Sequence, residues 1–451
     1  MEKWRRGCML FCVGVLVLAL LTIFVRFGTE QVLVKRLHLD NVLTRAVLFD
    51  NAALREAGKA NGGRRELPVD WAKRYPFPAE SQSLWMRAGK AERRVEARAQ
   101  KAEKKVEDWA TENFLLYQDF VEAGRSYERA IGWRVVNPAQ QVTFLPDGAL
   151  TFAYPRNDVT ERVRSVEDFA AAVRAQGAAF YFVQAPFKVD PTGDEETRGR
   201  LDFSNENADD LVRGLRQGGV PVLDLRDALK QAFPAHPWHD FFYRTDHHWR
   251  PETALWAADE LTRTFSLAGF AFDEERLTPT AYEWQVYPAA FLGSQGKKVT
   301  LARTRAEDFT LPLPRFDSEF EVTMPEYDFD ERGGFTLLYD WQQLEKKDLY
   351  HSNPYATFSY GDRAYLRIQN FDPRVARGPK ILAVTDSFGD TLVPFLATTT
   401  REILKVDLRH FTGSLRALLA EEKPDLVFLM YTAGYSQPIK WQGHEDEFDF
   451  R

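Results

Sequence analysis

The sequence predicts an α/β domain built on a mainly parallel sheet covered on both faces. Two observations carry this. From about residue 157 onward, short and almost wholly apolar runs alternate with longer amphipathic segments, and strands buried on both faces read as such unbroken apolar runs. The residues with most chemical potential, Asp246-His247-His248 and Asp386-Ser387, also follow predicted strands, and open α/β sheets gather their ligands at strand carboxyl ends.

The chain has 451 residues, 44% of them hydrophobic, enough for one large domain or two smaller ones. Its formal charge of -7 and pI near 5.8 argue against nucleic acid as a partner, because phosphate backbones select a basic surplus or a basic face. Lys3, Arg5 and Arg6 precede an uncharged run over 9–25 that ends at Arg26. At about 1.5 Å per residue this run spans roughly 25 Å, a short bilayer helix. No small-x-small cleavage pattern follows it, so an uncleaved anchor is expected, with a cytoplasmic N-terminus and everything beyond about residue 28 outside the cytoplasm. Cys8 and Cys12, the only cysteines, lie in or beside this run. The exported part therefore has no disulfide to form and no thiol nucleophile.

Residues 29–156 read as a lead-in. Asn61-Gly62-Gly63 and Pro68, Pro76 and Pro78 break the chain, and 83–127 is helix-friendly, with charge pairs suited to a solvated face over 90–107. Asp147-Gly148 between two apolar runs predicts a hairpin. Helices are then expected over 163–176, 207–217, 252–265, 388–396 and 414–421, and strands over 179–184, 221–225, 380–384, 403–406 and 426–431. Pro251 suits the first turn of the third of these helices. Residues 270–378 are rich in proline and aromatics with short alternating runs such as 335–339, and read as a mostly β or irregular insertion walling the cleft. Its Trp284, Tyr287, Trp341, Tyr355 and Tyr360 offer either sugar-stacking faces or ordinary packing. Residues 441–451 form a tail.

The chemistry centres on 241–251. In an extended run, residues two apart share a face, so Asp246 and His248 are expected together with His247 pointing away. That makes Asp246 an orienter and His248 a base, two parts of a nucleophilic triad. Ser387, where an apolar strand gives way to a helix, supplies the third. Taken alone, Ser387 reads as a helix N-cap; beside the first motif it reads as a nucleophile, with Asp386 as a structural hydrogen-bonding residue. A competing reading takes His236, His239, His247 and His248, with Asp240 and Asp246, as metal ligands. No helical i, i+4 pairing links them and Pro237 interrupts the stretch, so no metal is assigned.

Thr245-Asp246-His247-His248-Trp249, Asp386-Ser387-Phe388-Gly389, 182–188 and 291–297 together resemble the bacterial DHHW proteins. These are similar to the SGNH-hydrolase-like exported acetyltransferases that act on alginate and related polysaccharides. The likeness covers about residues 100–440. It implies a flavodoxin-like three-layer α/β/α sandwich over 157–440, with Ser387 as nucleophile, His248 as base and Asp246 as orienter. It also implies ester chemistry needing no metal or organic cofactor, a polysaccharide acceptor, and a membrane protein that passes acyl groups outward as donor. The Asp-His pair precedes the serine here, the reverse of ordinary SGNH hydrolases, an order the alginate-type enzymes share. The separate oxyanion Gly and Asn blocks have no clear counterpart; Gly293, Gly361 and Tyr431 are the candidates. The expected activity is O-acetylation of an exported polysaccharide through acyl-Ser387. A carbohydrate acetylesterase and a non-catalytic glycan-binding envelope protein are the alternatives.

Overall fold

A computed structural model describes residues 117–132, 135–137, 142–192, 202–346, 348–436 and 447–450. The anticipated anchor over 9–25, the lead-in before residue 117 and most of the tail lie outside these residues. Among the described residues, no helix is long and apolar enough to cross a membrane. The described residues from Glu128 onward belong to one compact unit, and Tyr117–Tyr127, the first part of helix α1 (Tyr117–Ala130), belongs to another.

A small antiparallel sheet comes first: β1 (Val135–Asn137), β2 (Val142–Phe144) and β3 (Leu150–Phe152). The last two form the expected hairpin. Helix α2 (Thr160–Ala175), strand β4 (Ala179–Ala185), helix α3 (Ser204–Gln217) and strand β5 (Val222–Asp224) follow, within a few residues of expectation. Strand β5 is shorter than expected because Asp224 turns out of it and caps helix α4 (Leu225–Ala232), accepting from the Arg226 N–H at 3.1 Å. That helix was not anticipated. Helix α5 (Pro251–Leu267) begins on proline as expected.

The region 270–378 makes a two-stranded ribbon, β6 (Tyr282–Phe291) with β7 (Glu307–Pro314), and a six-residue helix, α6 (Ser294–Val299). It then supplies β8 (Phe320–Met324), β9 (Phe329–Gly333) and β10 (Tyr365–Asn370). Residues Phe335–Leu338 are a 3-10 turn, not part of an alternating strand. Phe335 and Leu338, three apart, are the buried ones, a helical spacing within an apolar stretch. Strand β11 (Lys380–Thr385), helix α7 (Phe388–Ala397), strand β12 (Glu402–Val406), helix α8 (Leu415–Glu422) and strand β13 (Leu426–Thr432) close the fold.

The main sheet has eight strands in the order β5-β4-β13-β11-β12-β10-β8-β9. The first five are parallel; the last three, all from 270–378, are antiparallel. The sheet is thus mixed, and the insertion extends it as well as departing from it. Alternate residues serve opposite cores. In β13, Leu426, Phe428 and Met430 face a cluster that includes Leu229, Leu255 and Leu392 from α4, α5 and α7. Val427, Leu429 and Tyr431 face one that includes Phe169, Leu211 and Leu415 from α2, α3 and α8. The period-two alternation of these wholly apolar strands is what makes three layers.

Counted from β11, the parallel strands read 2-1-3-4-5, a flavodoxin-like order entered at a different point of the chain. This accounts for the reversed motif order, since the serine strand is first in the sheet though late in sequence. The switch point of such a sheet lies between its first and third strands, here β11 and β13, and Ser387 follows β11 directly.

The turn there is tight. A Cβ on Gly389 would stand 2.0 Å from Thr385 Oγ1 and 2.6 Å from Thr385 Cβ, so only glycine lets the helix start this close to its strand. Gly389→Ala is expected to cost about 1–3 kcal/mol and to lower Tm by several degrees in thermal unfolding. An unchanged Tm would mean that the turn has slack.

Candidate active site

The segment carrying Asp246 and His248 is a tight reversal held by its ends. Phe242 and Trp249 form an isolated antiparallel bridge, the Tyr243 N–H donates to His248 O at 3.1 Å, and the Arg250 N–H donates to Phe241 O at 2.9 Å. Within it, Asp246 Oδ1 accepts from the His248 backbone N–H at 3.1 Å and lies 2.5 Å from His248 Nδ1. The two side chains meet as expected, but through this side-chain turn and not through strand alternation. His247 therefore does not point away. Its Nδ1 is 3.3 Å from Asp246 Oδ1 and its ring centroid is 3.9 Å from that of His248.

His248 Nε2 lies 2.6 Å from Ser387 Oγ, so Asp246, His248 and Ser387 form one continuous hydrogen-bonded chain. Ser387 does not cap its helix with its hydroxyl. Asp386 satisfies the helix start instead, its Oδ1 accepting from the Phe388 N–H at 3.0 Å while Oδ2 accepts from the Thr432 N–H at 2.8 Å. The Asp386 carboxylate thus joins the ends of β11 and β13 across the switch point and leaves Ser387 Oγ for the imidazole. Burial outweighs these bonds and pushes the Asp386 carboxyl up to about 6.

Asp246 is only 3% exposed. Burial raises its carboxyl, but His248, then His247, and the Ser294 N–H hold it well below the ordinary range. Ser294, at the start of α6, donates its N–H to Asp246 Oδ2 at 2.6 Å. Gly293 permits that approach, since a Cβ there would fall 2.3 Å from Asp246 Cβ. Burial also drives the His247 imidazole well below its ordinary value, with the neighbouring His248 acting the same way.

Several supporting residues were not anticipated as such. Glu307 on β7 accepts from the Arg244 N–H at 2.8 Å, the Thr245 N–H at 2.7 Å and the Thr245 hydroxyl at 2.5 Å, and so ties the ribbon to the motif. Lys188, fully buried, donates to Leu150 O at 2.6 Å and to Asp246 O; burial pushes its ammonium down to about 8 against the pull of Glu307 and Asp246. Tyr355 stacks on His248 with centroids 3.8 Å apart and planes at 13°, and donates its hydroxyl to Ser387 O at 3.2 Å. It is buried packing for the base, not a sugar platform. Tyr360 is buried as well, its hydroxyl on Leu337 O. Trp284 and Trp341 hydrogen-bond carbonyls of neighbouring turns, and Tyr287 packs against the core.

None of the three oxyanion candidates keeps its donor free. The Gly293 N–H goes to Thr245 Oγ1 at 3.0 Å, the Gly361 N–H to Phe358 O at 2.8 Å, and the Tyr431 hydroxyl to Glu447 O at 2.8 Å. The four-histidine cluster also dissolves. His239 pairs with Asp147 at 3.0 Å and the His236 ring lies 4.7 Å from that of Phe241. Among the described residues, the group with ligand atoms close enough to share a metal is Asp246, His247 and His248, and both ring nitrogens of His248 are already engaged by Asp246 and Ser387.

Residues 144–307 match the family model described as the SGNH hydrolase-like domain of the acetyltransferase AlgX. Among solved structures, Bacillus cereus PatB1 with a sulfonyl adduct superposes with a TM-score of 0.53 at 16% identity, covering 69% of this chain and 99% of that one. A DHHW family protein from Eubacterium siraeum superposes with a TM-score of 0.50 at 17% identity, covering 65% and 91%. No curated protein matches the sequence. The expected resemblance to an SGNH hydrolase-like acetyltransferase domain holds over residues 144–307, and the two superpositions bear out the fold.

Because both ring nitrogens of His248 are engaged, whereas His247 among the described residues meets Asp246 and the rings of Phe152, His248 and Phe388, their substitutions are expected to differ. His248→Ala should lower the rate of Ser387 acylation by about three orders of magnitude or more, and His247→Ala by no more than about tenfold. Burst kinetics with 4-nitrophenyl acetate on the two folded variants would check this, and equal losses would contradict the assignment of the base.

Proposed function

We propose that this chain is a serine-dependent O-acetyltransferase that places acetyl groups on a polysaccharide outside the cytoplasm, through an acetyl-Ser387 intermediate. The observation that carries the reading is the buried Asp246–His248–Ser387 hydrogen-bonded chain, whose Asp246 and His248 lie within the residues that match an acetyltransferase's domain.

In this reading His248 Nε2 takes the Ser387 proton as Oγ bonds to the acetyl carbonyl carbon, and Asp246 holds the resulting imidazolium. The carbonyl oxygen becomes an oxyanion facing the Ser387 N–H and the positive end of α7. Collapse breaks the bond to the donor's leaving group, which takes the proton from His248, and acetyl-Ser387 remains. An acceptor hydroxyl then gives its proton to His248 and attacks the same carbonyl carbon. The new sugar ester leaves, and Ser387 recovers its proton.

The apolar run 9–25 with its basic flank supports an anchored, outward-facing domain. Such a domain sits where a membrane protein could hand acetyl groups across.

With a chromogenic acetyl ester as donor and a panel of exported oligosaccharides as acceptors, the wild type is expected to yield acetylated sugar. Ser387→Ala should yield none above the uncatalysed background. Efficient removal of acetyl from a native acetylated glycan, with no acceptor ever acetylated, would replace the transferase by the esterase.

A further inference from the structure

The loop before β10 has an unusual backbone. Ser359, Tyr360 and Gly361 have φ of 49°, 62° and 76°, three successive left-handed residues of which two carry side chains. Such conformations persist only where surrounding bonds over-determine them, and they concentrate at functional sites. The bonds are present. The Ser359 N–H donates to Leu338 O at 3.0 Å, and its hydroxyl donates to Asp390 O at 2.8 Å. Lys405, wholly buried, pairs with Asp390 and donates to Gly361 O at 3.3 Å. Asp390 lies in the first turn of α7, where its N–H donates to Ser387 O at 3.2 Å. The loop is therefore tied directly to the turn that begins at Ser387.

What the loop delivers is Asp362. Its side chain keeps 44% of its surface while its partner Arg409 keeps 9%. Arg409 Nη2 donates to Asp362 Oδ1 at 2.7 Å, and its other donors grip Asp407 at the end of β12. Among the described residues, Asp362 Oδ2 accepts no hydrogen bond. Burial works against the charge on Asp362, but Arg409, Lys405 and His248 hold its carboxyl down at about 2. Tyr365, three residues on, pairs with Val406 at the end of β12, so Asp362 stands at the carboxyl edge of the parallel strands, as Ser387 does. Arg409 acts likewise on Asp386, the neighbour of Ser387. Nothing in the acyl-transfer steps uses this carboxylate.

We propose that Asp362, oriented by Arg409 on this left-handed loop, is an acceptor-binding residue that takes a hydrogen bond from one hydroxyl of a sugar ring and so leaves the adjacent hydroxyl to donate to His248 and attack acetyl-Ser387. An ionised carboxylate is an acceptor only. One oxygen is fixed by a guanidinium and the other accepts no hydrogen bond among the described residues, which suits a substrate with two neighbouring O–H groups, one to hold and one to react, and gives a lone hydroxyl less. The assignment rests on the acyl-Ser387 reading and adds the acceptor side to it.

Glycerol and methanol serve as probes, at equal molarity, with 4-nitrophenyl acetate as donor and acetyl-Ser387 followed by mass spectrometry. Wild-type protein is expected to acetylate glycerol about tenfold faster per hydroxyl than methanol, the worth of one charge-assisted hydrogen bond. Asp362→Asn should bring that ratio close to one. Asp362→Glu, which keeps the charge and the Arg409 pair, should retain part of it. A wild-type ratio near one overturns the proposal without any variant, and so does an undiminished ratio in folded Asp362→Asn. If the wild type never forms acetyl-Ser387, the functional reading fails first and takes this one with it; if it forms acetyl-Ser387 without diol preference, only this one fails.

Discussion

A carboxylate as deeply buried as Asp246 is stable as a charge only if nearly every lone pair is met, and much of the surrounding structure exists to meet them. The His248 N–H and ring and the Ser294 N–H converge on its two oxygens. Ser294 can do so because Gly293 has no side chain to intervene. The peptide that carries Asp246 is in turn held by buried Lys188 from beyond β4 and, one residue earlier, by Glu307 from β7. Residues far apart in sequence are thus committed to the position of one acid. Through it they set the orientation of one imidazole, which is what a base 2.6 Å from a serine hydroxyl requires.

The sheet contributes the other half of the geometry. The serine strand occupies the first position of a flavodoxin-like order although it comes late in the chain, and the crevice between it and β13 is bridged by the Asp386 carboxylate. Displacing the point of chain entry leaves the switch point and its chemistry in place. It also frees the sheet edge beyond β12 to accept β10, β8 and β9. Their connections carry both Tyr355 against His248 and the left-handed loop tied to the turn at Ser387.

The layers of this fold were legible in the sequence because strands such as Leu426–Thr432 are apolar on both faces and helices such as Pro251–Leu267 announce their first turn. Ser387 was legible because a short polar run follows an apolar strand; Asp246 and His248 were legible as a dense polar run, although the strand expected just before them is separated from them by α4 and a 3-10 turn. What escaped was whatever depends on partners distant in sequence. Nothing near Glu307 or Lys188 marks them as clamps of a loop that lies 62 residues before the one and 58 after the other. The three antiparallel strands, short and interrupted by turns, did not declare that they belong to the main sheet. His247 was misplaced because alternation presumes an extended chain, and the bridge between Phe242 and Trp249 closes a reversal instead.

The central claim is that Ser387 Oγ becomes acetylated with His248 as its base. Rapid acid quenching of the protein during turnover of 4-nitrophenyl acetate, followed by proteolysis and peptide mass mapping, measures this directly. The account predicts one acetyl group on the peptide containing Ser387, accumulating before steady state in the wild type and absent when His248 is replaced by Ala. Acetyl on another residue, or turnover with Ser387 never modified, would contradict it.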